Sequence, residues 1–135
     1  MDIEFRDFFL STIGLDKRTK FFKFDDTNIK VNYIITNGQE RFKNISLRLL
    51  KTADGAIFVF DITKKNTFEL IGAWLDNIME NYKMMPKILI GNKADLESER
   101  EVSKEEGEQL AKLLECKYYE TSAKTGWTEC KASFG

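Results

Sequence analysis

Two short stretches of this chain end a strand-like run with polar side chains that could read a planar ligand. The first, at 87–95, begins Lys-Ile-Leu-Ile and continues Gly-Asn-Lys-Ala-Asp, and the second, at 121–124, reads Thr-Ser-Ala-Lys. Short apolar runs bounded by turn-forming residues are typical of buried strands. Open α/β sheets bind ligands at the carboxyl ends of their strands, so we predict that both polar loops border a ligand site.

The side chains in these loops suit the hydrogen-bonding edge of guanine. An ionised Asp95 carboxylate has two acceptor oxygens, which match the paired N–H groups that guanine offers and adenine does not. The backbone N–H of Ala123 could donate to the carbonyl that only guanine carries. Lys93 and Lys124 have aliphatic stems that can lie along a flat base while their ammonium groups stay in water. The alternative is two ordinary loops with solvated lysines.

The composition indicates one ordinary globular domain over residues 1–135. The chain is 42% hydrophobic and 32% charged, with a formal net charge of −1 and no histidine. These values favour neither nucleic-acid binding nor a histidine-based catalytic site. Cys116 and Cys130 make neither a disulfide framework nor a metal site, so we expect a reducing compartment. With no apolar run as long as a membrane span and no signal peptide, the protein is predicted to be cytoplasmic.

Strand-like and helix-like segments alternate along the chain. The predicted strands are 17–24 and 29–35, which form a hairpin around a turn at 25–28, then 55–61, 87–91 and 117–120; the predicted helices are 41–52, 67–82 and 104–115. Asn66 or Thr67 is the predicted N-cap of the second helix, and Ser103 with Glu106 forms a capping box for the third. This alternation predicts an α/β fold with a doubly wound, mostly parallel sheet and right-handed crossovers.

The two polar loops resemble the guanine-reading motifs of the small GTPases, with Asn-Lys-Ala-Asp at 92–95 and Ser-Ala-Lys at 122–124. Three further stretches are similar to the Rab branch of the Ras-like GTPases. They are Ser-Thr-Ile-Gly at 11–14, Gly-Gln-Glu-Arg-Phe at 38–42 and Phe-Val-Phe-Asp-Ile-Thr at 58–63. The resemblance extends over nearly the whole chain and implies a P-loop NTPase-like fold.

The resemblance also implies a site for GTP or GDP with Mg²⁺. The positions that fall on base-reading residues are Asn92, Lys93, Asp95, Ser122, Ala123 and Lys124. Gln39 falls on the glutamine that orients the attacking water, and Gly38 beside it is expected to contact the nucleotide. Thr12 falls on the switch I threonine, which contacts the magnesium ion and the γ-phosphate.

The sequence departs from the family at several positions. The phosphate-binding loop, Gly-x-x-x-x-Gly-Lys-Ser/Thr, is absent, because no pair of glycines has that spacing with a lysine following. The aspartate of the Asp-x-x-Gly motif, which supports magnesium, is Ile35, and the neighbouring alanine is Asn37. The paired tyrosines of the Rab switch II helix are Leu49 and Leu50, and an expected aromatic residue is Lys17. We therefore expect nucleotide binding and hydrolysis to be weak or lost.

The same comparison implies a truncated fold, in which the family's first strand, first helix and last helix are missing. A sheet without its central strand leaves backbone edges unpaired. One face of the sheet would also expose apolar side chains, either Ile57, Val59, Ile88 and Ile90 or Phe58, Phe60 and Leu89. We expect self-association through this sheet, or a covering contribution from the amino-terminal segment.

Two functions of different classes remain open. The first is a Rab-like GTP-binding protein of vesicle trafficking, whose partners are Rab effectors and regulators. The second is a pseudo-GTPase interaction module, or a non-functional fragment, that does not bind or hydrolyse GTP. Cys130 is too far from the carboxyl terminus for a prenylation box, so we expect no lipid anchor in this chain. Contact with endomembranes would then be peripheral and through partners.

Overall fold

The computed structural model describes residues 16–35 and 50–128, which belong to two separate compact units. The first unit is a β-hairpin, and the second is an α/β unit. The elements, in chain order, are β1 (Asp16–Phe24), β2 (Thr27–Ile35), β3 (Ala56–Asp61), α1 (Lys65–Asn81), β4 (Lys87–Asn92), a 3₁₀ helix (Glu97–Glu99), α2 (Lys104–Leu113), β5 (Lys117–Ser122) and β6 (Trp127–Thr128). The single domain over residues 1–135 stays a prediction.

The predicted hairpin is confirmed, with a tighter turn than expected. Strands β1 and β2 pair antiparallel as far as Phe24 opposite Thr27. Only Asp25 and Asp26 remain to connect them, and both have positive φ, of 45° and 63°. Two-residue turns with positive φ at both positions match the twist of the strands they join. The turn therefore occupies two residues instead of the predicted four.

The second unit contains the predicted mostly parallel sheet, with strand order β3-β4-β5-β6. β3, β4 and β5 are parallel neighbours, and the short β6 runs antiparallel to β5. The α/β fold class is confirmed, and the predicted strands of this unit agree with the observed ones to within two residues at each end. β6 is an addition to the prediction. No helix among these residues is long and apolar enough to cross a membrane.

Helices α1 and α2 form the core with one face of this sheet. That face carries Phe58, Phe60 and Leu89, all buried. The core also contains residues of both helices and the loops beside them, namely Ile62, Ile71, Trp74, Ile78, Val102, Leu110, Ala111 and Leu114. On the opposite face of β3, Ile57 and Val59 are each 55% exposed. Of the two alternatives that the sequence left open, the exposed residues of β3 are therefore Ile57 and Val59.

The two helices begin in different ways. The capping box of α2 is confirmed, because Glu106 N donates to Ser103 Oγ at 3.1 Å and Ser103 N donates to Glu106 Oε2 at 2.9 Å. The N-cap of α1 was predicted wrongly, since the helix follows Lys64, which makes no side-chain cap. The Thr67 hydroxyl instead donates to Lys64 O at 2.7 Å and accepts from Asp61 N at 2.9 Å. Most of the predicted helix 41–52 lies outside the described residues.

Replacing Gly107 by alanine is expected to destabilise the α/β unit. A Cβ atom at this position in α2 would lie 2.3 Å from Cζ of Tyr118. The Tyr118 ring has little room to retreat, because it stacks on Phe60 with centroids 6.1 Å apart and its hydroxyl donates to Glu120 at 2.7 Å. Overpacking of this kind costs about 1–3 kcal/mol, which urea denaturation would measure as a fall in the free energy of unfolding.

The matched control is Gly72→Ala in α1. A Cβ atom at Gly72 would meet no atom within 4 Å. Alanine is a better helix former than glycine, so this variant is expected to gain about 0.5–1 kcal/mol. If both variants were equally stable, the close approach of α2 to Tyr118 would not be a packing constraint.

Candidate functional site

The two loops predicted to border a ligand lie side by side at the carboxyl edge of the sheet. Because β4 and β5 are parallel neighbours, the segments that follow them leave the same edge. The backbone joins them directly, since Ala94 N donates to Thr121 O at 3.0 Å. Residues 92–95 and 122–124, which were singled out separately in the sequence, therefore form one cluster.

Asn92 links the two loops through its side chain. Its Oδ1 accepts from Thr121 Oγ1 and from Ala123 N, both at 3.2 Å. The Ala123 N–H is the group that the sequence assigned to a ligand carbonyl. In this structure it donates to Asn92, so an entering carbonyl oxygen would have to share or displace that bond.

Asp95 is exposed, and a buried hydroxyl orients its carboxylate. Ser122 Oγ donates to Asp95 Oδ1 at 2.7 Å and accepts from Thr125 N at 3.1 Å. Ser122 is only 2% exposed, so its hydroxyl has a fixed position. No described residue donates to Asp95 Oδ2. The carboxylate can therefore accept hydrogen bonds from a ligand without losing the bond that orients it.

The side chain of Lys93 reaches from this cluster to the end of β3. Its φ is 67°, in the left-handed region that residues with a Cβ rarely adopt. Its Nζ lies 2.9 Å from Asp61 Oδ2 at the end of β3. The other oxygen, Oδ1, accepts from Thr63 N at 2.9 Å and from Thr63 Oγ1 at 2.6 Å. Burial alone would raise the pKa of Asp61, but the hydrogen bonds from Thr63 and Lys93 outweigh it and lower the pKa below the ordinary 3.8.

Asp61 is not among the residues that the sequence predicted for the site. One signal could have found it, because the residue ends a strand and lies opposite Asn92 in the parallel register of β3 and β4. A parallel neighbour of a ligand-loop residue is itself at the ligand edge. Lys124, the second predicted platform for a base, is exposed after β5.

A buried ion pair stabilises the end of β5, from which the loop at residues 121–124 begins. Glu120, just before residues 121–124, is 5% exposed and accepts from Arg100 Nη1 at 2.8 Å, from Arg100 Nη2 at 2.7 Å and from Tyr118 Oη at 2.7 Å. Arg100 also contacts Glu97 at 2.7 Å. Burial alone would raise the pKa of Glu120, but the hydrogen bonds from Arg100 and Tyr118 outweigh it and lower the pKa below the ordinary 4.5. The pair attaches the segment before α2 to β5.

Acid is expected to weaken the fold through these two carboxylates. Asp61 and Glu120 both have a lower pKa in the folded chain, so each stabilises the fold above its ordinary pKa of 3.8 or 4.5 and loses that contribution as the pH falls further. The free energy of unfolding, measured by urea titration from pH 6 to pH about 3, should fall less steeply in the variant D61N/E120Q, which has neither titrating group. Equal slopes would contradict the assignment.

Three predicted positions lie outside the described residues, namely Thr12 for magnesium, Gly38 for nucleotide contact and Gln39 for the attacking water, and so does Cys130. Within 16–35 and 50–128, no group of acidic, cysteine or histidine side chains could hold a metal ion. Ile35, at the family's magnesium-supporting position, has no ligating atom in its side chain. The described cluster therefore offers an oriented carboxylate and a backbone N–H group to a planar ligand.

The chain is similar in sequence to known proteins over most of its length. The sequence profile of the Ras family matches residues 1–134. The chain is 39% identical over 122 residues to Ras-related protein Rab-13 of Bos taurus, covering 90% of this chain and 60% of the relative. It is 41% identical over 117 residues to Ras-related protein Rab-8A of Gallus gallus, covering 86% and 56%. It thus spans about 60% or less of the length of these curated relatives.

Proposed function

This chain belongs to the Ras family as a Rab-like small GTPase, and from that membership we propose that it binds a guanine nucleotide through the loops after β4 and β5. The observation that carries the proposal is the bond from Ser122 Oγ to Asp95 Oδ1, at 2.7 Å, which joins the two loops. It orients an exposed carboxylate whose Oδ2 has no donor among the described residues.

Each loop would recognise a different part of the base. Asp95 would accept the two N–H groups of the guanine edge, and charge-assisted bonds of this kind are the stronger class of hydrogen bond. Ala123 N–H would turn from Asn92 Oδ1 to the guanine carbonyl. The stems of Lys93 and Lys124 would lie against the base. Adenine offers neither the paired donors nor the carbonyl, so the site would select guanine.

The affinity is proposed to be weak. The 135 residues contain no Gly-x-x-x-x-Gly-Lys-Ser/Thr stretch to hold phosphates, so the base contacts act largely alone. We expect a Kd of about 1 mM, which corresponds to about 4 kcal/mol. A bound nucleotide would bring Mg²⁺, for which Thr12 would be a ligand, and Gln39 would orient the attacking water. We propose that GTP hydrolysis is weak or lost.

Titration with GDP and Mg²⁺, with ADP as the control, tests this function. GDP should bind at least about tenfold more tightly than ADP, since adenine lacks the edge that Asp95 reads. Binding of neither nucleotide would overturn the proposal. Nucleotide that copurifies with the chain at one equivalent would contradict the weak affinity, and chromatography of the denatured protein would detect it.

The exposed face of β3 favours a second candidate function, that of an interaction module. Such a module would self-associate or contact Rab-type effectors and regulators, and these partners would bring it to endomembranes. Ala56 N donates to Pro86 O and Ile62 N donates to Asn92 O, so these residues direct their backbone groups to the β4 side. Ile57 and Val59 alternate with them along the chain and therefore direct their backbone groups to the other edge of β3. Within residues 50–128, no strand pairs with that edge. The backbone groups at this edge and the apolar side chains beside them suit a strand of a second copy.

Val59→Lys is expected to prevent this self-association. A lysine on the exposed face would place a charge at the contact and block edge pairing. Sedimentation velocity should then show a smaller fraction of dimer than for the wild-type chain. Met84→Lys is the matched control, because Met84 is 90% exposed outside β3. A monomeric wild-type chain, or an equal effect of both variants, would exclude the second copy as the partner.

A further inference from the structure

The ion pair between Asp61 and Lys93 lies beside the proposed guanine site, on the side away from β5. Asp61 ends β3 and lies opposite Asn92 in the register of β3 and β4. Lys93 follows Asn92 directly, and its ammonium group reaches back across that register to Asp61 Oδ2, at 2.9 Å. The aliphatic stem of Lys93 therefore lies between the end of β4 and the end of β3.

The Asp61 carboxylate is itself fixed. Thr63 donates to Oδ1 from its backbone N–H and from its hydroxyl, at 2.9 Å and 2.6 Å. The Asp61 backbone N–H donates to Thr67 Oγ1 at 2.9 Å, which ties the same residue to the start of α1. With Oδ1 occupied on one side, Oδ2 is the oxygen directed at the lysine. The side chains of Asp61 and Lys93 are 13% and 30% exposed, so water screens this pair less than it would an ion pair at the surface.

We propose that Asp61 is a positioning residue for the base site, which holds the Lys93 stem as a preformed wall on which guanine stacks. The inference rests on the proposed function, since Lys93 needs a base to contact. Asp61 would not touch the nucleotide. It would act only through the ammonium group that it binds.

The benefit of such a contact is a lower entropy cost of binding. A free lysine side chain has four rotatable bonds and loses much of its freedom when it packs against a ligand. An ammonium group already bound by Asp61 has lost that freedom before the base arrives, so the loss does not weaken binding. The backbone of Lys93, at a φ of 67°, contributes to the same preorganisation.

A double-mutant cycle with GMP as the probe tests the proposal. GMP is soluble at the high concentrations that a weak site needs, and NMR shifts of the Asp95 and Ala123 amides would report its binding. Asp61→Asn is expected to weaken GMP binding about tenfold, which equals about 1.4 kcal/mol. Lys93→Met keeps an apolar stem but removes the charge. In that background, Asp61→Asn should have no further effect, because there is no ammonium group left to hold.

The control is Asp76→Asn, which removes an exposed carboxylate from α1 and should leave GMP binding unchanged. If Asp61→Asn does not fold, Thr63→Val replaces it in the cycle. That variant removes only the 2.6 Å bond to Oδ1, so a loss of a few-fold is expected, again only when Lys93 is present. Near-UV circular dichroism would show which variants are folded.

The outcomes separate the two proposals. If the wild-type chain shows no shifts with GMP, the proposed function fails and this inference fails with it. If GMP binds but the substitution at Asp61 weakens binding equally with Lys93 and with Met at that position, the guanine site stands and the positioning role is wrong. If Asp61→Asn weakens GMP binding only in the chain that contains Lys93, both proposals are supported.

Discussion

Glu120→Ala is expected to lower the free energy of unfolding by about 3–5 kcal/mol, as for other buried ion pairs that lose one partner. The substitution removes the carboxylate that accepts both Nη groups of Arg100, at 2.8 Å and 2.7 Å, and the Tyr118 hydroxyl, at 2.7 Å. Arg100, whose side chain is 17% exposed, would keep its charge, and its remaining partners among the described residues would be Glu97 and Val102 O. Urea denaturation at pH 7 measures the loss.

Glu97→Ala is the matched control, because the same guanidinium group loses its other carboxylate. Glu97 is 70% exposed and binds Arg100 from within the 3₁₀ helix. Exposed ion pairs contribute about 0–1 kcal/mol, so this variant should remain close to the wild-type stability. If the two variants lost equal stability, burial would not determine the strength of these bonds.

Asp95→Ala is expected to weaken guanine binding at least about 100-fold. If the wild-type Kd is near 1 mM, binding to this variant would no longer be detected. The variant loses two hydrogen bonds to an ionised acceptor, each of about 1.5–3 kcal/mol. Stability should change little, because Asp95 is exposed and Ser122 keeps its bond with Thr125 N. The measurement is the titration with GDP and Mg²⁺, read by NMR shifts of the amide of Ala123.

The control for this prediction is Asp76→Ala, which removes another exposed aspartate from the same unit. It should leave the shifts of Ala123 unchanged. GDP binding that survives in Asp95→Ala would show that the loops after β4 and β5 do not read the base, whatever else in the chain holds the nucleotide.

Local signals in the sequence predicted the elements whose ends are determined locally. The capping box of α2 needs only Ser103 and Glu106, so its start was predicted correctly. The start of α1 was not, because the hydroxyl of Thr67 bonds to Asp61 and Lys64 in the turn before the helix. β6 has two residues and exists only by pairing with Thr121 and Ser122, which no local pattern indicates.

The candidate site was predicted only in part for a similar reason. Residue type and strand end pointed to Asp95, and the resemblance to the small GTPases added Asn92 and Ser122. The structure brings these residues together. The partnership of Lys93 with Asp61 depends on the register between β3 and β4, which the sequence does not specify. Likewise, β3 is apolar at every position from Ala56 to Phe60, so only the helices packed on one face decide which side chains are buried.

The strand order of the α/β unit has a consequence for how the chain is assembled as it is synthesised. Neighbours in the sheet are also consecutive along the sequence, from β3 to β6. A growing chain therefore always adds a strand to one that has already emerged, with no wait for a distant partner, and short sequence separations favour fast folding. The two loops of the base site follow the second and third of these strands. Recognition of a ligand there thus requires that both of these strands, and the loop after β5, have emerged.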